Sequence, residues 1–544
     1  MKTFLLIFLF ISFEAIAQDS SVWKDISKES FKRNLTFLGS DLFEGRGTGT
    51  AGGNLAAKYL ALEYEQLKLS TIGQNNTYYQ YIPMHGGVAL QSSVLNIFHE
   101  NKIEKLKLKE DYLLYVAGEQ TFVPKPLEIV FAGYGIIAPE FDYNDYQSIQ
   151  VEGKIVAFLD GEPKSDNSDY FSGNESTVYS SPEAKQRTAL ARGARGSILI
   201  PNLADSKYYS WEETILLFSF ENVTLAYTPS NSLSILLNPE RAEILFKDSE
   251  YNYKQILQMH SLNQMKSFPL KSSLSFKGEF KERDFVASNI AGMIPGSDPE
   301  LKESYIIVSA HYDHLGIGTV IRGDSIYNGV YDNAMGVSAL LEIAKLFSKD
   351  EYKPKRSIIF LLLTGEEKGL LGSRYYADNP IIPLYKTIAN INIDGIAAFD
   401  KFKSIVGIGS NYSTLEDFLL ELNKKMNLEM DSIPREFASE EAFTQSDQFA
   451  FALAGVPSIL ILEGTKYENI SSEEGIKKMI EYYFDYYHSP FDDLSREINY
   501  DASMQHINVL FNFIQLISNS HQIPEWKKGS PFINQRLRSI AEKR

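Results

Sequence analysis

The second half of the chain alternates two textures. Mostly apolar runs at Tyr305 to Ala310, Ser357 to Thr364, Thr387 to Ile393, Ser404 to Ile408 and Ser458 to Leu462 read as buried strands. The stretches Ala334 to Ser348, Leu370 to Asp378, Thr414 to Met426 and Ala502 to Ile517 read as helices. Such alternation predicts an α/β fold: a mixed, largely parallel sheet with helices on both faces. Upstream, Asp25 to Leu69 predicts two amphipathic helices around the loop Leu42 to Gly53, and Tyr78 to Leu114 alternates as strands do. From Pro124 to Lys277 the texture changes. Short strands at Ile129 to Phe131, Ile155 to Leu159 and Ser197 to Ile200, with glycine turns between them, predict an inserted β-rich domain. The expected division is a signal peptide (1–17), an N-terminal part of the main domain (18–123), the insertion (124–277), the main α/β part (278–521) and a loosely docked polar tail (522–544).

Composition narrows this picture. A chain of 544 residues with 44% hydrophobic content can bury more than one core. The net charge of −17 argues against nucleic acid and anionic membrane surfaces as partners, since both need a basic face. Lys2, the apolar run Phe4 to Phe13 and Ala15-Ile16-Ala17 predict a cleavable leader, and no later run is long enough to cross a membrane. There is no cysteine, so disulfides and thiolate metal sites are excluded. A leader without disulfides fits a secreted or periplasmic bacterial protein.

The chemistry lies at the ends of the apolar runs. His311 and Asp313 stand in AHYDHLG, Asp332 in GVYDNAMG, Glu366 and Glu367 in LLLTGEEKG, Asp394 in NINIDG and His488 in YYHSPFDD. The carboxyl ends of the strands are where an open α/β sheet presents its site. Each residue has a plainer reading: a strand-end histidine, an N-cap at Asp332, an acidic first helical turn at Glu366 and Glu367. Asp313, two residues after His311, can accept the second ring N–H of that histidine. Asp492 or Asp493 could orient His488. Together the set offers imidazole and carboxylate ligands, a carboxylate able to bridge two cations, and a spare carboxylate as base. The glycine-rich loop at 42–53 lacks a Lys-Ser/Thr ending and reads as a plain loop.

With these residues assembled, the chain resembles the co-catalytic zinc aminopeptidases, the family that includes aminopeptidase Y and glutamate carboxypeptidase. Glu44 to Gly49 resembles the family's lead-in. Gly133-Tyr134-Gly135, Gly153-Lys154 and Gly193 to Gly196 resemble an inserted protease-associated domain. The stretch Gln445 to Gln448, with Gly455-Val456-Pro457, also matches, although Gln448 replaces a frequent histidine. Tyr331 and Met335 depart from the usual residues around the bridging aspartate. The resemblance implies two Zn2+ ions, one on His311, Asp332 and Asp394, the other on Asp332, Glu367 and His488. It also implies Glu366 as general base, Asp313 as its catalytic companion behind His311, and peptides as substrates. The activity it implies is that of a secreted dizinc exopeptidase acting on N-termini. Competing readings are an inactive peptidase-like binding module, a one-zinc glutaminyl cyclase, and a carboxypeptidase or dipeptidase. The last would need a cation for a substrate carboxylate, for which Arg374 and Arg435 are candidates.

Overall fold

A computed structural model describes residues 22–542, apart from positions 101, 115–121, 166, 168–169, 172, 174–176, 178, 203–209, 228–231, 435–436 and 438. The expected leader and Arg435 lie outside the described residues. The main sheet has at its centre four parallel strands, ordered Ser357–Leu363, Tyr305–His311, Thr387–Asn392 and Ser458–Glu463. Antiparallel partners flank them. Phe280–Ile294 and Tyr79–Ala89 lie on one side, Ser404–Ile408 on the other.

Alternation along these strands sorts two cores. Ile306, Val308 and Ala310, with Ile358, Phe360 and Leu362, pack against the helices Lys28–Leu38, Met335–Phe347 and Tyr500–Asn519. Ile307 and Ile359, Leu361 and Leu363 pack against Tyr376 and Phe451 on the opposite face. A strand sandwiched this way must be apolar on both sides, which is why the runs are legible in the sequence. The observed helices Leu371–Asp378 and Leu415–Met426 also agree with the periodicity.

A second sheet of eight strands has its own core, which includes Phe131, Ile155, Ile198, Leu237 and Phe268. It begins earlier than the composition change at 124 suggested. Val94–His99, Lys102–Leu106 and Tyr112–Leu114 all pair into it. Asn222–Leu225 departs from it and pairs with Tyr79–Ala89 in the main sheet. Alternating strands carry no mark of which sheet they join, so this boundary was not readable from the pattern.

The tail is anchored, contrary to expectation. Trp526 and Phe532 are buried, the Trp526 indole N–H donates to Gly455 O at 2.9 Å, and Ile533–Ala541 is helical. Two aromatic anchors in a polar segment suffice to dock it. No helix among the described residues is long and apolar enough to cross a membrane.

Candidate metal centre

Strand register assembles the site. Ser309 pairs with Asn392, and His311 with Leu363. Chain leaving these three adjacent strands therefore brings His311, Asp394 and Glu366 to one edge. After Leu363 the chain turns at Gly365, whose φ of 72° is a left-handed value that glycine adopts without cost. Glu366 and Glu367 follow in one tight turn and diverge. Gly329 has φ 58°, and a Cβ there would lie 2.2 Å from Asp332 O and 2.4 Å from the His314 ring. Only glycine lets the Asp332 loop pass this close.

Asp332 is not a cap. The helix that follows starts at Met335 without a side-chain cap, and the Asp332 carboxylate faces inward. Its Oδ1 lies 3.2 Å from His311 Nε2, and its Oδ2 lies 3.2 Å from His488 Nε2. Asp394 Oδ1 is 3.2 Å from His311 Nε2, and Glu367 Oε2 is 3.0 Å from His488 Nε2. Asp332 thus stands between two imidazoles, each of which also faces a second carboxylate; ligand atoms of His311, Asp332 and Glu367, and of His311, Glu366 and Asp394, lie within 4.8 Å of one another. Donor atoms about 2.0–2.1 Å from a tetrahedral zinc lie roughly 3.3 Å apart, close to these separations. His488 Nε2 is buried and makes no hydrogen bond of good geometry despite its two close oxygens. The donor set, all nitrogen and carboxylate oxygen, fits zinc.

Two orienting roles differ from expectation. The His311 Nδ1 partner is the main-chain carbonyl of Asp313, at 3.1 Å, not its carboxylate. The carboxylate instead accepts from Thr48 Oγ1 at 2.7 Å and from Glu366 N at 3.3 Å. In extended chain the i+2 carbonyl is as near as the side chain, and the glycine-rich loop supplies a competing donor. Neither Asp492 nor Asp493 touches His488. Asp492 accepts from the backbone N–H groups of Tyr331 and Asp332, and Asp493 binds Ser495. His488 is held by Tyr487, stacked on it with centroids 3.8 Å apart.

His314 escaped the sequence reading. It is fully buried, and its Nδ1 lies 2.6 Å from Glu367 Oε1. Its signal was its place in the same motif, three residues after His311. Ser446 was legible only as part of a matching stretch; its Oγ donates to Asp394 Oδ2 at 2.5 Å. Arg46, within the plain loop, donates to the carbonyls of Leu38, Tyr312, Asn328 and Gly329. Arg374 is exposed.

The electrostatics follow from crowding acids out of water. Burial raises the Glu366 carboxyl well above the usual range, and the charges of Glu367 and Asp394 add to this. Burial also opposes charge on Asp332, but the His311 and His488 rings beside its two oxygens hold it well below the usual range. Glu367, against burial and the neighbouring Asp332, is drawn down to about 2 by His488 and His314. The pattern separates one carboxyl that favours a proton from two that favour a cation.

Known proteins share parts of this chain. Residues 289–514 match the profile described as Peptidase family M28. A vacuolar membrane protease of Aspergillus clavatus is 30% identical over 142 residues, covering 24% of this chain and 14% of that one. A probable zinc metalloprotease of Pyrenophora tritici-repentis is 35% identical over 110 residues, covering 20% and 24%. The chain thus spans a quarter or less of the length of these relatives. Among solved structures, an aminopeptidase from Aneurinibacillus sp. strain AM-1 aligns over 93% of this chain and 97% of its own, with a TM-score of 0.55 at 16% identity, and shares the fold. The expected secreted or periplasmic bacterial location is overturned, because the fungal relatives are named for a vacuolar membrane. A leader-like apolar run does not specify the final compartment.

Proposed function

We propose, from the premise that residues 289–514 belong to Peptidase family M28, that the protein is a zinc-dependent peptidase that removes residues from peptide N-termini. The observation that carries this is the position of Asp332 between His311 and His488, each of which also faces a second carboxylate. In this reading His311, Asp332 and Asp394 would hold one zinc, and Asp332, Glu367 and His488 would hold a second. Bound zinc lowers the pKa of water and polarises a carbonyl. Glu366, beside His311 and Asp394 but raised by burial towards its protonated form, accepts a proton from the attacking water and delivers it to the leaving amine. The Asp313 carboxylate holds the backbone of Glu366 in place. His314 and Ser446 fix the outer oxygens of Glu367 and Asp394.

A chain kept only as a binding module has no need of a complete ligand set with a spare base, and the assembled set supports catalysis. We read the second sheet, from about residue 94 to 277, as an inserted protease-associated domain. The return of Asn222–Leu225 to the main sheet supports a role in shaping the cleft. Incubation with a mixed peptide library, with and without a chelator, tests the proposal. Chelator-sensitive trimming one residue at a time from the N-terminus is expected. Internal cuts or trimming from the C-terminus would overturn it.

A further inference from the structure

A cavity of about 420 Å3 is lined by residues bonded to, or next in the chain to, members of the metal centre. Its walls include Glu44 and Thr48 of the glycine-rich loop, Phe220 and Glu221 of the middle segment, Arg283, and Lys368. Two wall residues are one step from the site's machinery. Thr48 donates to the Asp313 carboxylate, and Lys368 follows Glu367 directly in the chain. A peptide held at the centre by the bond to be cut would place a neighbouring residue within reach of such a cavity, whose size suits a small ligand group.

The charges of the lining are not equally available. Arg283 is spent: Nε and Nη2 reach Glu221 at 2.8 and 2.6 Å, and Nη1 reaches Gly49 O at 2.9 Å. That pairing also neutralises Glu221. Glu44 is exposed at the rim. Lys368 is different, because among the described residues no carboxylate lies within ion-pair distance of its ammonium. That ammonium stands 5.3 Å from the centroid of the Phe220 ring. The nearest sources of negative field are Glu367, Asp313 and Glu221, acting through space. Two of these three are committed elsewhere, Asp313 to Thr48 and Glu366 N, Glu221 to Arg283. Glu367 is a proposed metal ligand. A cation in a partly enclosed, aromatic-walled space with no ion partner is a recognition element for an anion.

We propose that this cavity is a substrate subsite for a carboxylate of the peptide, next to the bond that is cut, with Lys368 as its cation. The proposal rests on the peptidase reading and adds a substrate class to it. The Phe220 ring faces the lysine ammonium, and the neutralised Arg283–Glu221 pair lines one wall. The carboxylate could come from an acidic side chain or from the α-carboxylate of a short peptide.

The test compares tripeptides that differ in one group: glutamate against glutamine at each position with the C-terminus amidated, and a free carboxylate against an amide on an all-alanine chain. Rates are measured with wild type, Lys368→Met and Lys368→Arg, all zinc-loaded. Affinities are measured by calorimetry in the Glu366→Gln background, which is expected to bind without cutting. The expected result is a preference of tenfold or more in kcat/KM and in affinity for one carboxylate-bearing peptide, about 1.4 kcal/mol. That preference is lost in Lys368→Met and kept in part in Lys368→Arg. Preference for glutamate assigns a side-chain carboxylate, and preference for the free acid over the amide assigns the terminal one. Equal affinities for acid and neutral peptides, or a preference that survives Lys368→Met, would overturn the subsite. Absence of all hydrolysis would instead overturn the peptidase reading, while the affinities still judge the subsite.

Discussion

Arg46→Lys probes the tie that holds the metal centre to the N-terminal segment. Arg46 is 1% exposed and donates four hydrogen bonds: Nε to Tyr312 O at 2.7 Å, Nη1 to Leu38 O at 2.9 Å and Asn328 O at 2.5 Å, and Nη2 to Gly329 O at 2.7 Å. Tyr312 follows His311, Asn328 and Gly329 lead into Asp332, and Leu38 ends the helix Lys28–Leu38. One side chain therefore joins the segments that carry His311 and Asp332 to a third element. Burial lowers its basicity to about 10, while the fields of Asp332, Asp492, Asp313 and Glu367 favour its charge. Lysine keeps that charge but replaces a planar fork with a single nitrogen. If two of the four carbonyls lose their donor, at about 1–3 kcal/mol each, the loss is about 2–6 kcal/mol. Taking about 4 kcal/mol, and roughly 2 °C per kcal/mol for a large domain, Tm falls by about 8 °C. Thermal unfolding of the zinc-loaded proteins by circular dichroism measures this, and zinc content after dialysis reports the centre itself. A variant melting within about 1 °C of wild type with full zinc would refute the reasoning.

Three further outcomes follow from particular contacts. Ser446→Ala removes the donor to Asp394 Oδ2, so zinc affinity on the His311 side should fall about 10–100-fold in a competition titration; an unchanged affinity would sink the positioning role. Asp145 is raised by burial to about 6 in the folded chain, against about 3.9 unfolded, so folding takes up a proton. Its contribution, about 3 kcal/mol, is fully present below about pH 4 and lost as pH rises through about 6. Asp145→Asn should therefore flatten the fall of Tm between pH 4 and 7, and an identical slope would contradict the shift. Trp526→Ala should cost about 3–5 kcal/mol and expose the tail to limited proteolysis, whereas wild-type resistance would show the anchor to be idle.

How much was legible depended on what each residue answers to. The central strands and their following helices could be read because burial on both faces forces long apolar runs, as at Ser357–Leu363. His311, Asp332, Glu366, Glu367, Asp394 and His488 could be picked out because each is of a type that can ligate a metal or move a proton and stands in a motif near a strand or helix end. Residues that act through hydrogen bonds were harder. His311 takes a backbone carbonyl that any residue at position 313 would offer, and the side-chain donor to the Asp313 carboxylate, Thr48, lies 265 positions away in sequence. Arg46 sits in a loop whose pattern is dominated by glycines, yet its role rests on four carbonyls from distant segments. The start of the second sheet at Val94 and the return of Asn222–Leu225 depend on strand partners, which alternation does not encode.

The central claim is that one carboxylate moves the proton while its neighbour holds metal. Zinc content and peptide hydrolysis of Glu366→Gln, measured on the same preparation as wild type, test it most directly. Expected are two zinc ions per chain in both proteins and a loss of hydrolysis of about 10²–10⁴-fold or more in the variant. A zinc-loaded Glu366→Gln that cuts peptides at the wild-type rate would contradict it.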